Sequence, residues 1–176
     1  MKNPAPLLVD FSHLLEDDDP EGPVIDLACG AGQNGLFLAA LGVPVILADR
    51  SSKALAAAQK SAKERKIEAR FWEVDLETGD NPLDPDHYRG ILVFRYLHRP
   101  LIPHIRRSIR KGGILIYETF TSEQSRYGKP HNPAYLLQPG ELAGWFADWE
   151  IIHSFEGILE GPRRAMAQTV CRKPGR

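Results

Sequence analysis

The sequence is poor in cysteine: it has only two, Cys29 and Cys171, and they are not spaced as a CxxC pair. Two thiols are too few for a disulfide framework, which argues against a small cross-linked secreted fold. They suit a reducing compartment, so we expect a cytoplasmic protein. Long apolar runs are also missing. No run is long enough to cross a bilayer, and we expect no membrane partner.

An excess of charge of one sign is absent as well. Lys and Arg number 22 and Asp and Glu number 23, which gives a formal net charge of −1. Proteins that bind nucleic acid as their main task carry basic patches and a positive excess, so we expect no nucleic-acid partner. The chain of 176 residues is 43% hydrophobic and 26% charged, which fits a single globular domain over residues 1–176. Its oligomeric state is left open.

Hydrophobic patterns along the chain alternate between those of strands and those of helices. They predict seven strands, at residues 23–29, 43–49, 68–75, 90–96, 114–120, 149–158 and 165–173. They predict helices at residues 7–15, 34–41 and 51–65, from Pro100 to the double glycine 112–113, and from Pro139 to about residue 146. The segment 76–89 is too rich in proline for a full crossover helix.

Strands that alternate with helices form parallel sheets. The last two strands are joined only by residues 159–164, which is too short for a parallel crossover, so these strands must run antiparallel. The predicted fold is therefore α/β: a doubly wound, mostly parallel seven-stranded sheet with an antiparallel terminal hairpin strand.

The segment VIDLACGAGQNG, residues 24–35, contains the glycine pattern of a nucleotide-binding loop, Gly30-x-Gly32-x-x-Gly35. In a dinucleotide site, the helix that follows such a loop receives a pyrophosphate at its N-terminus. Asp26 lies in the strand just before the loop, and its carboxylate would repel that pyrophosphate. A ligand with an ammonium or sulfonium group fits better, and S-adenosylmethionine is such a ligand.

Here the sequence resembles the class I S-adenosylmethionine-dependent methyltransferases. Their first motif, an acidic and a hydrophobic residue followed by alternating glycines, matches residues 26–32, with Ala28 in place of the first glycine. The resemblance implies that Asp49, at the end of strand two, binds both ribose hydroxyls. It implies that Asp75 binds the adenine amino group and that Leu76 packs on the ring. The full set of expected cofactor contacts is Asp26, Ala28, Gly30, Gly32, Asp49, Arg50, Asp75, Leu76 and Arg95, with no metal. The compact chain is loosely similar to the small tellurite-resistance branch of the family.

The methyl acceptor is expected beyond strands four and five. Strand four ends in FRYLHRP and lacks the Asn/Asp-Pro-Pro-Tyr/Phe motif of enzymes that methylate amino groups of bases or of glutamine. Cationic and neutral donors at this strand end favour a small anionic or soft nucleophilic acceptor. Residues 121–138 form a long polar segment, which is predicted to be the substrate loop, and the N-terminal helix within residues 1–22 is predicted to close the site. The candidate catalytic residues are Arg95, Tyr96, His98, Tyr127 and His131.

Two alternative functions remain open at this point. One is an NAD(P)-linked oxidoreductase that uses the glycine loop, against which Asp26 counts. The other is a protein that binds S-adenosylmethionine without catalysis. Transfer of a labelled methyl group to any acceptor would separate the second alternative from a methyltransferase.

Overall fold

The computed structural model describes residues 3–17, 20–79 and 82–175, which contain a single seven-stranded sheet with helices on both faces. The strands are β1 (Val24–Leu27), β2 (Val45–Asp49), β3 (Arg70–Glu73), β4 (Tyr88–Phe94), β5 (Ile109–Phe120), β6 (Glu150–Leu159) and β7 (Arg164–Arg172). The α-helices are α1 (Pro6–Phe11), α2 (Gln33–Ala40), α3 (Ser52–Arg65), α4 (Ile102–Ser108) and α5 (Glu141–Trp145). The predicted α/β fold is confirmed.

The strand order across the sheet is β3-β2-β1-β4-β5-β7-β6. The first five strands are parallel, and β7 is antiparallel to both β5 and β6, as predicted for the terminal hairpin. The order of the strands reverses between β1 and β4. Ligands of open α/β sheets bind at such a reversal, beyond the carboxyl ends of the strands.

Two apolar layers hold the helices against the sheet. On one face, side chains of α1, α2 and α3 pack against β1 and β2, with Leu8, Leu36 and Leu47 fully buried. On the other face, α4 and α5 pack against β4 and β5 through residues such as Ile105 and Phe146. Complete burial of each such side chain stabilises the fold by roughly 2 kcal/mol.

The connection from β3 to β4 contains no helix in its described parts, residues 74–79 and 82–87. Leu76 and Leu83 fill the place that a crossover helix would take, since both are buried in the layer that also holds α4. The prediction from its prolines is therefore confirmed.

The boundary between α4 and β5 differs from the prediction. The helix was expected to continue to the double glycine, but it ends at Ser108, and Ile109 already belongs to β5. Ile109 is fully buried and aligned with Tyr88 of β4, so burial in the sheet prevails over helical spacing. The glycines lie instead in an irregular part of the strand, where a Cβ on Gly113 would come within 2.7 Å of the Arg89 carbonyl oxygen.

The N-terminal helix is shorter than predicted and is part of the core. Pro6–Phe11 is α-helical and Ser12–Leu15 continues as a 3-10 turn. Leu7, Leu8 and Leu15 are at most 4% exposed, so this segment cannot move as a lid without exposing core side chains. Residues 1, 2, 18 and 19 of the predicted lid lie outside the described residues. None of the described helices is long and apolar enough to cross a membrane.

Candidate functional site

The glycine segment turns the chain from β1 into α2 through several left-handed residues. Ala28, Gly30 and Gly32 have φ values of 52°, 56° and 77°. A left-handed conformation costs a residue with a Cβ about 1–2 kcal/mol, which explains why the family pattern has glycine where this chain has Ala28. A Cβ on Gly30 would meet nothing within 4 Å, whereas one on Gly32 would lie 2.5 Å from a methyl carbon of Leu47. Gly30 therefore faces open space, and Gly32 is required for packing.

Asp26 lies at the centre of the sheet and its side chain is turned towards the start of α2. The residue is 2% exposed, and its Oδ2 accepts a hydrogen bond of 2.8 Å from the Gly35 backbone N–H. Burial raises the pKa of Asp26 from 3.8 to about 7, although the Gly35 hydrogen bond acts in the opposite direction. The carboxylate therefore occupies a helix N–H that a bound pyrophosphate would need.

Asp49 ends β2 and joins the first two loops of the site. Its Oδ2 accepts a 2.7 Å hydrogen bond from the Gly30 N–H, and its Oδ1 accepts a 2.8 Å bond from the Ser51 N–H. Each carboxylate oxygen has a second lone pair. Asp49 can therefore hold the glycine loop and still accept hydrogen bonds from a ligand.

The third acidic position follows β3. Asp75 Oδ1 accepts a 2.9 Å hydrogen bond from the Glu77 N–H, which shapes the loop into a turn. Asp75 is exposed, whereas Leu76 is 5% exposed. Glu77 forms an ion pair with Arg50, with an N–O distance of 3.6 Å, and both side chains are in contact with solvent.

Two cavities lie along the carboxyl ends of the strands. The first, of about 480 Å³, is lined on one side by Asp49, Asp75 and Leu76. The second, of about 830 Å³, extends from Asp26 and Gly30 towards the N-terminal residues 3–6. Ala28, Arg95 and Phe120 line both cavities, so the two meet over the first turn of the glycine loop. We call them the ribose-side cavity and the N-terminal cavity.

The segment after β4 contributes two of the candidate residues. Arg95 has a φ of 56°, and its backbone N–H donates to the Glu118 carbonyl oxygen at 2.8 Å. Tyr96 follows and lines the ribose-side cavity. Its hydroxyl is buried and has no hydrogen-bond partner among the described residues, and burial together with the nearby Glu77 raises its pKa. A buried donor without a partner is costly, which is typical of a group that a ligand completes.

The predicted substrate loop 121–138 is closed at its base. Thr121 pairs with Leu137 in a short parallel bridge, and Gln124 is buried and accepts a 2.8 Å hydrogen bond from the Ala165 N–H. Arg99 attaches the far end of the loop. Its guanidinium donates to the carbonyl oxygens of residues 134 and 136 and to both carboxylate oxygens of Glu141.

Not all predicted site residues come together. His98, Tyr127, His131 and Gly32 line neither of the two cavities. His131 is exposed. The guanidinium carbon of Arg163 lies over the Tyr127 ring, 5.9 Å from the ring centre. The loop instead lines the ribose-side cavity with Lys129, Pro130 and Tyr135. In the described ranges, no group of three or more His, Cys, Asp or Glu side chains could hold a metal ion.

The structure adds residues that were not expected in the site. Phe94 and Phe120, the last residues of β4 and β5, line the N-terminal cavity together with Arg164, the first residue of β7. The sequence contained a signal for Arg164. Because β7 is antiparallel, it starts at the edge where the parallel strands end.

Comparisons with known proteins agree with this geometry. A family described as "Methyltransferase domain" matches residues 24–113, just over half of the chain. Hemagglutinin 1 of Eikenella corrodens is 29% identical over 140 residues, which is 76% of this chain and 46% of that protein. The "Probable S-adenosyl-L-methionine-dependent methyltransferase TehB" of Haemophilus influenzae is 24% identical over 142 residues, or 78% of this chain and 49% of that one. The chain thus spans about half the length of the curated relatives it matches.

Solved structures share the fold. The crystal structure of TehB from Haemophilus influenzae has a TM-score of 0.73 at 21% identity, and the match covers 92% of this chain and 62% of that chain. Magnesium protoporphyrin IX methyltransferase from Synechocystis, solved with bound SAH, has a TM-score of 0.69 at 20% identity, with coverage of 94% and 78%. The chain belongs to the methyltransferase domain family, and its predicted resemblance to the class I S-adenosylmethionine-dependent methyltransferases is confirmed.

Proposed function

We propose that this protein uses S-adenosylmethionine to methylate a small anionic or soft nucleophilic acceptor. The observation that carries the proposal is the meeting of the two cavities at Ala28, Arg95 and Phe120. One cavity has carboxylates suited to a nucleoside, and the other has room for a second molecule. The volumes of both fall within the usual range for small-molecule sites.

The residues present fit this cofactor. Asp26 disfavours a diphosphate and favours a cation near the glycine loop, and Gly30 leaves open space on its outer side. Asp49 retains free lone pairs for ribose hydroxyls. The unpartnered Tyr96 hydroxyl, which lines the same cavity, would gain a partner from the polar edge of a base.

In this assignment, Asp49, Asp75 and Leu76 hold the adenosine, and Arg50 closes its outer side through the Glu77 ion pair. The methionine portion lies along Asp26, Ala28 and Gly30, and Arg95 at the junction binds its carboxylate. When bound, the cofactor supplies a methyl group already activated by a sulfonium. The protein then has to hold an acceptor in line with that methyl group and to keep water away.

Tyr96 is therefore proposed to contact the cofactor, which differs from the catalytic role expected from the sequence. Tyr127, His131 and His98 are proposed to affect turnover only through the conformation of the loops that carry them. Because Cys29 and Cys171 are both buried free thiols, we propose a reducing, cytoplasmic setting.

Ligand-dependent unfolding provides the test. We expect S-adenosylmethionine and S-adenosylhomocysteine to stabilise the protein by about 2.7 kcal/mol at one hundred times their dissociation constants, and NAD to have no effect. Asp49→Asn should weaken both ligands. Asp86→Asn is the matched control, because Asp86 lies at the opposite edge of the sheet beside Lys173. Stabilisation by NAD would contradict the proposal. Binding with no transfer of labelled methyl to any acceptor would favour the non-catalytic alternative.

A further inference from the structure

The N-terminal cavity is lined by two arginines, Arg95 and Arg164. We propose that Arg164 binds the methyl acceptor as an anion with an apolar body and determines this specificity, while Arg95 is left for the carboxylate of the cofactor. The inference rests on the proposed function, which it narrows from an anionic or soft nucleophile to an acceptor that already carries negative charge.

The topology of the sheet brings the two arginines to one place. Arg95 immediately follows β4, so it lies at the carboxyl edge of the parallel strands. Arg164 is aligned with Leu159 across the β6–β7 turn, and this turn reaches the same edge because β7 runs in the opposite direction. Pro162 of the turn also lines the cavity. Residues 69 positions apart in sequence thus border the same space.

Neither guanidinium is neutralised by a carboxylate in the described part of the chain. The one hydrogen bond found for the Arg164 side chain is a long one, 3.4 Å from Nε to the Pro162 carbonyl oxygen. Neighbouring arginines are paired: Arg163 lies 3.1 Å from Glu160, and Arg99 lies 2.6 Å from Glu141. The Arg164 charge therefore remains available to the acceptor, and the Arg95 charge to the carboxylate of the cofactor. Arginine binds carboxylates and other oxyanions through paired N–H groups.

The walls of the cavity are apolar. Phe94 and Phe120 border it from the strand ends, and Pro4 and Pro6 border it from the N-terminal segment. Both phenylalanines are half-buried, so part of each ring is open to a ligand. A bare inorganic ion would leave these faces without a partner. An acceptor that combines a charged group with an apolar body would contact both Arg164 and the rings.

The cavity also offers no free base to deprotonate a neutral acceptor. Of the described residues that line it, Asp26 and Cys29 are the possible proton acceptors. The Asp26 carboxylate accepts the Gly35 N–H and, in the proposed function, faces the cationic cofactor, so it is not free for the acceptor; burial raises the pKa of the Cys29 thiol, which keeps it neutral. An anion needs no base. Its electron pair forms the new bond to the methyl carbon, the bond from sulfur to that carbon breaks, and sulfur keeps that bond's electron pair as a neutral thioether.

The test uses the complex of the full chain with S-adenosylhomocysteine, which keeps the cofactor site filled without turnover. The probes are benzoate and its neutral isostere benzamide, and calorimetry measures the binding of each. We expect benzoate to bind at least about tenfold more tightly than benzamide, because charged hydrogen bonds to arginine are lost in the amide. Arg164→Gln should remove this preference while leaving the affinity for S-adenosylhomocysteine within about twofold.

Arg163→Gln is the matched control, because it removes the same charge from the same turn at a residue that does not line the cavity. It should leave benzoate binding unchanged. Equal binding of benzoate and benzamide, or no binding of either, would overturn the inference. So would an Arg164→Gln effect on S-adenosylhomocysteine alone, which would assign Arg164 to the cofactor carboxylate. Failure of S-adenosylhomocysteine itself to bind would instead refute the proposed function, and the inference with it.

Discussion

The buried carboxyl group of Asp26 should make both stability and cofactor affinity depend on pH near neutrality. Its pKa is raised from 3.8 to about 7, mainly by burial. The folded state therefore binds the proton more tightly than the unfolded state. Between about pH 4 and pH 7 the unfolded chain has lost this proton while the native protein retains it, so the free energy of unfolding falls as pH rises.

The size of this effect follows from the shift. Three pKa units correspond to about 4 kcal/mol, lost at about 1.4 kcal/mol per pH unit and fully lost above pH 7. Asp26→Asn removes the titration. The amide oxygen can still accept the hydrogen bond from Gly35 N–H, but its N–H groups lose hydrogen bonds to water, which costs about 1–2 kcal/mol. At pH 8 we expect the variant without ligand to be more stable than the wild type by about 2–3 kcal/mol.

Cofactor binding should show the opposite dependence. A cationic ligand beside Asp26 requires the ionised carboxylate, so below pH 7 binding must expel the proton. The dissociation constant for S-adenosylmethionine should then rise about tenfold for each pH unit below 7. In Asp26→Asn it should be weaker and independent of pH. Adenosine, which carries no positive charge, should bind with the same affinity from pH 5.5 to 8 in both proteins.

Two measurements decide this prediction. Denaturant unfolding of both proteins from pH 4 to 8 gives the slope of the stability difference, in which the other titrating groups cancel. Calorimetry in buffers of different ionisation heat counts the proton released on binding. A flat stability difference, or wild-type affinity that does not change with pH, would show that Asp26 is ionised without ligand or remote from the cofactor charge.

Four further substitutions test the glycine loop and the substrate loop. Ala28→Gly should raise the free energy of unfolding by up to about 1 kcal/mol, because relief of the left-handed strain exceeds the entropy gained by the unfolded chain. Denaturant unfolding measures this change, and a lower free energy of unfolding in the variant would contradict the prediction. Gly32→Ala should lower the free energy of unfolding by about 2–4 kcal/mol because of the clash with Leu47. Gly30→Ala should lower it by about 1–2 kcal/mol and should act mainly on cofactor affinity. Equal effects of the two substitutions on the free energy of unfolding would refute the distinction. Arg99→Lys should lower the free energy of unfolding by only about 1 kcal/mol but speed proteolysis within residues 122–135, because the bonds from the guanidinium to the loop and to Glu141 are lost. An unchanged rate of cleavage would show that the loop conformation does not depend on Arg99.

The fold was predictable because its local patterns agree with one another. Continuous apolar strands, a capping Ser51 before α3 and a turn too short for a crossover all indicate the same sheet. The end of α4 was mispredicted for a physical reason. Ile109 fits the helical spacing of Leu101 and Ile105, and only its alignment with Tyr88, 21 residues earlier, selects the extended conformation. A contact between strands so far apart in sequence leaves no local signal.

The candidate site was predictable where it depends on strand ends and not where it depends on loops. Asp26, Asp49 and Asp75 come at or near the ends of three parallel strands, so topology alone brings them to one edge. In the loop 121–138, by contrast, Tyr127 and His131 have suitable chemistry, but the residues that line a cavity are Lys129, Pro130 and Tyr135. Which side of a loop faces inward is set by its tertiary anchors.

The presence of Arg164 in the site could have been predicted from the sequence. The terminal hairpin is antiparallel, so its turn must lie at the edge where the parallel strands end. Every polar residue of that turn is then a candidate for the site. Arg163 and Arg164 stand side by side there, Arg163 in the turn and Arg164 as the first residue of β7. One of them can pair with Glu160 while the other borders the cavity, as the ion pair of Arg163 and the position of Arg164 illustrate. In a doubly wound sheet that ends in a reversed strand, the last hairpin turn therefore belongs to the search for the acceptor site as much as the loops that follow the parallel strands.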